Sequence, residues 1–152
     1  MKFNTSYFGE INVPDDRVIN FELGIPAFPD ENSFVLIHDE EHPESIFLWL
    51  QSTKTPELVF TIIDTLAVLP NYAPSVPEEE LQGIKENDDD DFFIYNIANI
   101  SDSNKIEDIT VNLKGPIIIN QKTGRGRQVI SDDAKHDIRY AIFNDIQNRK
   151  KA

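Results

Sequence analysis

The chain has 152 residues and a formal net charge of −13, and this length suits one domain with its own core. It contains no cysteine, which excludes disulfides, thiolate zinc sites and cysteine nucleophiles and fits a reducing compartment. Residues 1–14 lack the basic-then-apolar pattern of a signal peptide, and no apolar run approaches the roughly 20 residues that span a bilayer. The sequence therefore predicts a cytoplasmic protein with no membrane partner.

The charge differs between the body of the chain and its end. Residues 1–121 carry 6 basic and 23 acidic side chains, whereas residues 122–152 carry 8 basic and 4 acidic ones. An acidic body repels phosphate backbones and raises the encounter rate with basic partners. The same acidity also keeps a protein soluble without any partner, so charge alone leaves both interpretations open.

Short strand patterns recur along the first two thirds of the chain, separated by turn markers such as Gly24-Ile25-Pro26 and His42-Pro43. The predicted strands cover residues 3–8, 10–13, 18–21, 34–38, 46–51, 58–64 and 92–99. The dense apolar runs 46–51 and 58–64 predict central strands covered on both faces, where Trp49 is more typical of a core residue than of an exposed anchor. Many short strands with regular punctuation predict an all-β, antiparallel, barrel-like fold.

Residues 109–130 contain three more strand patterns and two turns, without an obvious catalytic group. The pattern over 109–113 alternates apolar with polar residues, as a half-buried strand does, and Lys114-Gly115-Pro116 ends it. The β-branched run 117–119 predicts a strand buried on both faces, followed by a polar hairpin loop and a returning strand at 128–130. This segment favours a shape-defining role, and hence a binding protein rather than an enzyme.

Two acidic runs are the most prominent charged features. Pro77 followed by Glu78-Glu79-Glu80 predicts a short helix, because proline suits a first turn and acids face its positive end. Asp88-Asp89-Asp90-Asp91 offers oxygen ligands for Ca²⁺ or Mg²⁺, but the alternating ligands and glycine of a calcium loop are missing. A solvated, self-repelling loop is the ordinary interpretation, and a docking patch for a basic partner is the third.

His38 and His42 lie beside four acids, among them Asp39 and Glu40. Such a group can bind a metal, yet Pro43 prevents the i, i+4 helical spacing of two ligands, so a polar hairpin loop is favoured. An alternative function would be a metal-assisted hydrolase that uses Asp39, Glu40 or the Asp88 to Asp91 run. We expect no metal and no cofactor.

The run Lys122-Thr123-Gly124-Arg125-Gly126-Arg127 lacks the spacing and the strand-to-helix context of a phosphate loop. A second alternative is a nucleic-acid-binding β-barrel that uses these residues as a basic finger. The acidic body opposes this, and turn geometry accounts for the glycines. We therefore expect no direct binding of nucleic acid.

The C-terminal extension, residues 132–152, has the second helical pattern. Ile138, Ile142 and Ile146 follow the i, i+4, i+8 spacing of one helix face, and Asp132 or Asp133 can cap the first turn. The sequence predicts a single domain, 1–152, with a core at about residues 3–131. The extension either docks on it as a helix or frays after Arg139.

Several motifs in this order resemble the flagellar assembly factor family, FliW. They include the runs YFGEI at 7–11, FELGIPAF at 21–28, FLWLQS at 47–52, PELVF at 56–60, LPNY at 69–72, TVNLKGPIIIN at 110–120 and QVI at 128–130. The resemblance implies a small, non-enzymatic, β-barrel-like protein. It also implies binding to the RNA-binding translational repressor CsrA, relief of CsrA repression, and binding to flagellin, which competes for the factor.

The resemblance does not supply contact residues, so these are predicted from chemistry. Glu78, Glu79 and Glu80, together with Asp88, Asp89, Asp90 and Asp91, suit a basic partner. Asn112 and Lys114 lie beside a strand end, where polar side chains are available to a partner. The predicted function is thus that of a flagellar assembly factor that antagonises CsrA and binds flagellin.

Overall fold

The computed structural model describes residues 1–103 and 105–143. Its strands are β1 (Lys2–Thr5), β2 (Gly9–Asn12), β3 (Ile19–Asn20), β4 (Ser33–His38), β5 (Phe47–Ser52), β6 (Val59–Asp64), β7 (Phe92–Asn99), β8 (Thr110–Val111), β9 (Ile117–Asn120) and β10 (Gly126–Gln128). A short α-helix, α1 (Thr65–Val68), follows β6 directly. Each of the ten predicted strands overlaps one observed strand.

The main sheet is antiparallel and curls almost into a closed barrel. Its order is β10-β9-β7-β6-β5-β4-β3, and β8 pairs with the end of β7. The two edges meet where Asn20 forms a bridge with Arg125 and donates its N–H to the Gly124 carbonyl at 2.9 Å. Closure of this kind removes exposed strand edges. The predicted all-β, barrel-like fold is confirmed.

The barrel interior is filled by side chains from alternate residues of neighbouring strands, which point inward. Phe34 of β4, Leu50 of β5 and Ile62 of β6 are fully buried there, and Phe21 packs edge-on against Phe34 with ring centroids 5.3 Å apart. A second cluster covers part of the outer face around Ile63 and other buried residues, namely Leu69, Tyr72, Val111, Leu113 and Ile142. The run Ile117–Asn120 is buried throughout, as its β-branched composition predicts.

The β1–β2 hairpin forms a separate small sheet that lies against β5. The Phe8 and Trp49 rings are 5.4 Å apart, and the Ser6 N–H donates to the Pro56 carbonyl at 2.9 Å. Trp49 is partly buried by this contact. The prediction that β5 and β6 are covered on both faces holds only for the second half of β5 and for Ile62 and Ile63 of β6. The first three residues of each strand are partly exposed, and Asp64 at the end of β6 is exposed.

Helical structure departs from the predictions in three places. The predicted helix after Pro77 is a 3-10 turn, Glu78–Leu81, and α1 was not predicted from the sequence. The predicted helix start at Asp132 or Asp133 is wrong, because residues 132–141 are irregular and Ile138 is exposed. Ile146 and the rest of 144–152 lie outside the described residues.

The extension adopts another conformation because its backbone completes the sheet. Tyr140 and Val111 exchange two main-chain hydrogen bonds, at 2.8 and 2.9 Å, and the Leu113 N–H donates to the Asp137 carbonyl at 2.9 Å. These bonds satisfy the free edge of β8. Ile142 then enters the outer-face cluster and is fully buried. The extension therefore docks on the barrel, but through strand-like pairing.

A tight turn at Ile25–Phe28 contains backbone strain. Ala27 has φ of +78°, a left-handed value that tight turns with a preceding proline usually give to glycine. We expect Ala27→Gly to raise the free energy of unfolding by about 0.5–1 kcal/mol. The same exchange at exposed Ala67 in α1 should lower it by about the same amount. Urea titration of both variants measures these changes in the free energy of unfolding. Changes of the same sign at Ala27 and Ala67 would contradict the strain at Ala27.

Candidate partner-binding surface

The fold brings the two acidic runs together around one lysine. The Lys85 ammonium lies 3.1 Å from a Glu78 carboxylate oxygen and 3.3 Å from an Asp88 carboxylate oxygen. The hydrogen bond to Glu78, and then the bond to Asp88, raise the pKa of Lys85 above its usual value. Lys85 thus lies between the two acidic runs, and residues 78–91, hereafter the acidic segment, form one surface around it.

The acidic segment is anchored from below by apolar contacts. Ile84 is buried against Ile118 and Val129, and Leu81 packs on the same cluster. Beside Lys85 lies a depression of about 440 Å³, lined by residues that include Glu78, Leu81, Gln82, Glu86 and Asp88. With its apolar side chains turned inward, the segment presents Glu78, Glu79, Asp88, Asp89 and Asp91 as exposed acids.

The basic hairpin loop between β9 and β10 ties the acidic segment to the barrel. Arg125 donates from Nη1 to the Gly83 carbonyl at 3.2 Å, and Arg127 donates from Nη1 to the Glu80 carbonyl at 2.6 Å. The Asn120 amide donates to the Ile84 carbonyl at 2.6 Å. The two guanidinium groups offered by the sequence as a nucleic-acid finger therefore bind main-chain carbonyls within the fold.

Asp90 differs from its acidic neighbours because its carboxylate organises the backbone. It accepts hydrogen bonds from the N–H groups of Asn87 (3.0 Å) and Glu86 (2.7 Å) and from the Asn120 amide (3.0 Å). The backbone bond from Asn87, followed by that from Glu86, lowers the pKa of Asp90 below its ordinary value of 3.8. This carboxylate is committed to the turn and is partly buried.

We expect Asp90→Ala to lower the urea midpoint of unfolding at pH 7. The native pKa of Asp90 is depressed, so the carboxylate stabilises the native state above the unfolded value, near 3.8, and loses this effect as the pH falls through the native pKa. The gap between variant and wild type should therefore shrink below about pH 4. Exposed Asp89→Ala is the control, and a gap that stays constant down to pH 2.5 would contradict the assignment.

The remaining two predicted contact residues form a turn. The Asn112 Oδ1 accepts from the N–H groups of Lys114 at 3.1 Å and Gly115 at 3.0 Å, and the Asn112 carbonyl accepts from the Asn96 amide. Both Asn112 and Lys114 are partly buried. In the described part of the chain, no hydrogen bond or ion pair links either side chain to the acidic segment. The structure therefore does not join Asn112 and Lys114 to the acidic contact residues.

The loop between β4 and β5 brings together only part of the group that the sequence offered as a metal site, without His38 and Glu40. Ligand atoms of Asp39, Glu41 and His42 lie within 4.8 Å of one another. Asp39 accepts from the Glu41 N–H at 3.0 Å and lies 3.0 Å from His42 Nδ1, and that side-chain hydrogen bond is the main cause that lowers the pKa of Asp39. These bonds close a polar turn, as the hairpin interpretation predicts. Asp88–Asp91 do not join the group.

Sequence reasoning missed the buried polar cluster under the outer face. Asn96 accepts from the Thr65 hydroxyl and donates to the Tyr72 hydroxyl at 3.1 Å and to the Asn112 carbonyl at 2.7 Å. Tyr72 donates in turn to the Leu113 carbonyl at 2.6 Å, and burial raises the pKa of its phenol. Asn96 is fully buried in the middle of β7, on the row that faces the outer cluster, and a polar residue within this otherwise apolar strand was the one available signal.

Among residues 1–103 and 105–143, no helix is long and apolar enough to cross a membrane. The fold and this surface together define a small β-barrel protein that carries a charged segment on its outside.

Comparisons with known proteins place the chain among named relatives. A flagellar assembly factor FliW from Thermoanaerobacter pseudethanolicus is 38% identical over 148 residues, covering 97% of each chain. One from Leptospira biflexa is 38% identical over 144 residues, covering 95% of this chain and 92% of the relative. A crystal structure of the flagellar assembly factor FliW superposes with a TM-score of 0.81 at 31% identity, over 93% of this chain and 96% of that one.

The protein-family model described as FliW protein matches residues 2–142. The chain therefore belongs to the FliW family of flagellar assembly factors, and the resemblance read from its motifs is confirmed.

Proposed function

We propose that this protein binds and antagonises the translational repressor CsrA and also binds flagellin, so that flagellin synthesis follows assembly. It acts in the cytoplasm by binding partners and not by catalysis. One observation carries the proposal: Lys85 joins Glu78 and Asp88, so both acidic runs form a single outward surface. An RNA-binding protein presents a basic face to phosphates, and that face complements such a surface.

In this proposal CsrA is held in a form that cannot bind messenger RNA. Flagellin that docks on the factor releases CsrA, which then represses flagellin translation. When flagellin is exported, the factor becomes free and sequesters CsrA again. The fixed acidic segment favours fast encounter with a basic partner, because the charges are already positioned before contact.

The test is charge reversal that leaves the structural acids in place. Asp89→Lys/Asp91→Lys keeps Asp90, which caps the turn, and Asp88, which holds Lys85. We expect this double variant to bind CsrA about tenfold more weakly at low salt, with a smaller loss at high salt. Calorimetric titration at two salt concentrations measures both affinities.

The matched control is Asp102→Lys/Glu107→Lys, which changes the net charge equally at two exposed acids outside the acidic segment. This control variant should bind CsrA within about twofold of the wild-type affinity, and that small change measures the general effect of net charge. Equal affinity of the acidic-segment variant and wild type at low salt would remove the segment from the interface.

A further inference from the structure

The barrel is open at one end, as the exposure of Phe93 on the inward-facing row of β7 shows. Tyr95 and Ile97 of β7 belong to the interior cluster, and Phe93 continues the same row by strand alternation. Phe93 pairs with buried Ile119 across β9, and its ring stacks on Tyr95 at 6.1 Å. Even so, 42% of the Phe93 side chain is exposed. An inward position with such exposure means that nothing in the described chain covers it.

A cavity of about 190 Å³ lies at this opening. Its lining includes the apolar side chains of Val18, Leu36, Phe93 and Ile119, which we call the barrel mouth. Gln121 and Gly124 of the hairpin loop contribute the polar edge. Mouths of β-barrels are common binding sites, and this one has room for about one bulky side chain rather than for a large ligand.

The charges around the barrel mouth are mostly negative. Asp16 lines the cavity itself, and a second depression of about 280 Å³, which shares Gln121, is lined by Asp89, Asp90 and Asp91. The Gln121 N–H donates to the Asp91 carbonyl at 3.1 Å, and Gln121 lines both depressions, so the two lie next to each other. Two basic side chains, Arg17 and Lys122, belong to the same linings. Since the Asp90 carboxylate is engaged in its turn, Asp16, Asp89 and Asp91 are the carboxylates available in and next to the cavity, together with the two cations Arg17 and Lys122.

We infer that the barrel mouth binds a protein segment in which one large apolar side chain is flanked by lysine or arginine. The apolar side chain enters the cavity over Phe93, and the flanking cations lie along Asp16 and the Asp89–Asp91 side. Removal of apolar surface from water provides affinity, and the carboxylates select the charge of the flanks. The inference goes beyond the proposed function, since it fixes the chemistry of the segment whichever protein carries it.

The test uses short peptides of defined sequence, so its outcome does not depend on CsrA or flagellin. The ¹⁵N-labelled protein is titrated with acetylated, amidated Lys-Lys-Phe-Lys-Lys while amide chemical shifts are recorded. We expect saturable shifts at Val18, Leu36 and Phe93. A peptide with serine in place of phenylalanine should bind about tenfold more weakly, and one with glutamate flanks should bind about tenfold more weakly as well.

A variant pair localises the effect. Phe93→Lys places a charge in the barrel mouth and should weaken the phenylalanine peptide about tenfold, whereas Leu23→Lys, at a side chain 63% exposed in the β3–β4 connection, should leave it within about twofold. Because the peptide series runs on the wild-type protein, it decides the question even if Phe93→Lys does not fold. No saturable shifts, shifts confined to other surfaces, or equal binding of the serine or glutamate peptide would overturn the inference.

Discussion

Gly24→Ala is expected to lower the free energy of unfolding by about 3 kcal/mol or more. Gly24 has φ of +66°, and a Cβ atom there would lie 2.5 Å from the Pro29 carbonyl oxygen and 2.6 Å from that of Phe28. Both contacts are with backbone, so the turn that places Ile25 in the core would have to move. Thermal unfolding should show a fall in Tm of about 6–12 °C.

Gly9→Ala is the matched control for this prediction. Gly9 has a similar φ of +70°, but nothing lies within 4 Å of its would-be Cβ atom. Only the left-handed conformation is then penalised, at about 1 kcal/mol. A loss at Gly24 no larger than that at Gly9 would mean that the Phe28–Pro29 backbone yields easily, and the close approach would not be a constraint on this loop.

Asn96→Leu is expected to destabilise the protein by about 3 kcal/mol, although the exchange nearly preserves volume. It removes the acceptor of the Thr65 hydroxyl and the donor to the Asn112 carbonyl, both in a buried region. Each buried group left without a partner costs about 1–3 kcal/mol. Tyr72 keeps its bond to the Leu113 carbonyl, which limits the total. Urea unfolding at pH 7 measures the loss.

Asn71→Leu makes the same exchange at the exposed neighbour of Tyr72 and should change stability by no more than about 0.5 kcal/mol. If Asn96→Leu were as mild as this control, the Thr65 hydroxyl and the Asn112 carbonyl would have other partners, and the polar cluster would not organise β7. Circular dichroism of both variants confirms that each retains the β fold before their stabilities are compared.

The strands were predictable because their information is local. Alternation along 109–113, the dense apolar runs 46–51 and 58–64, and the β-branched run 117–119 identify strands without reference to the rest of the chain. Turn residues such as Gly24 and Pro116 mark the boundaries for the same reason. Together these signals were sufficient for a barrel-like fold, and the family comparison agrees with it.

The helix start at Asp132 or Asp133 was mispredicted because a distant strand determines the backbone of residues 132–141. The spacing of Ile138 and Ile142 fits one helix face, yet pairing of Tyr140 with Val111 satisfies two main-chain groups that β8 would otherwise leave free. Residues 29 positions apart exchange these bonds, and no local pattern reports such a partner. Tertiary pairing thus outweighs helical periodicity in this segment.

The candidate site was predictable in composition but not in arrangement. The acidic runs are visible in the sequence, whereas their union through Lys85 and the anchoring of their backbone by Arg125 and Arg127 depend on the fold. Asp90 illustrates the difference, since four adjacent aspartates look alike in sequence and only this one caps a turn. The barrel mouth at Phe93 likewise becomes visible only when strand alternation is compared with exposure.

The most direct test of the central claim is calorimetric titration of this protein with CsrA from the same organism, repeated after saturation with flagellin. The proposed partner switch predicts tight, saturable binding of CsrA and loss of that binding when flagellin is present. The contradicting result would be no heat and no complex with either protein, which would leave a FliW-family barrel that acts through other partners.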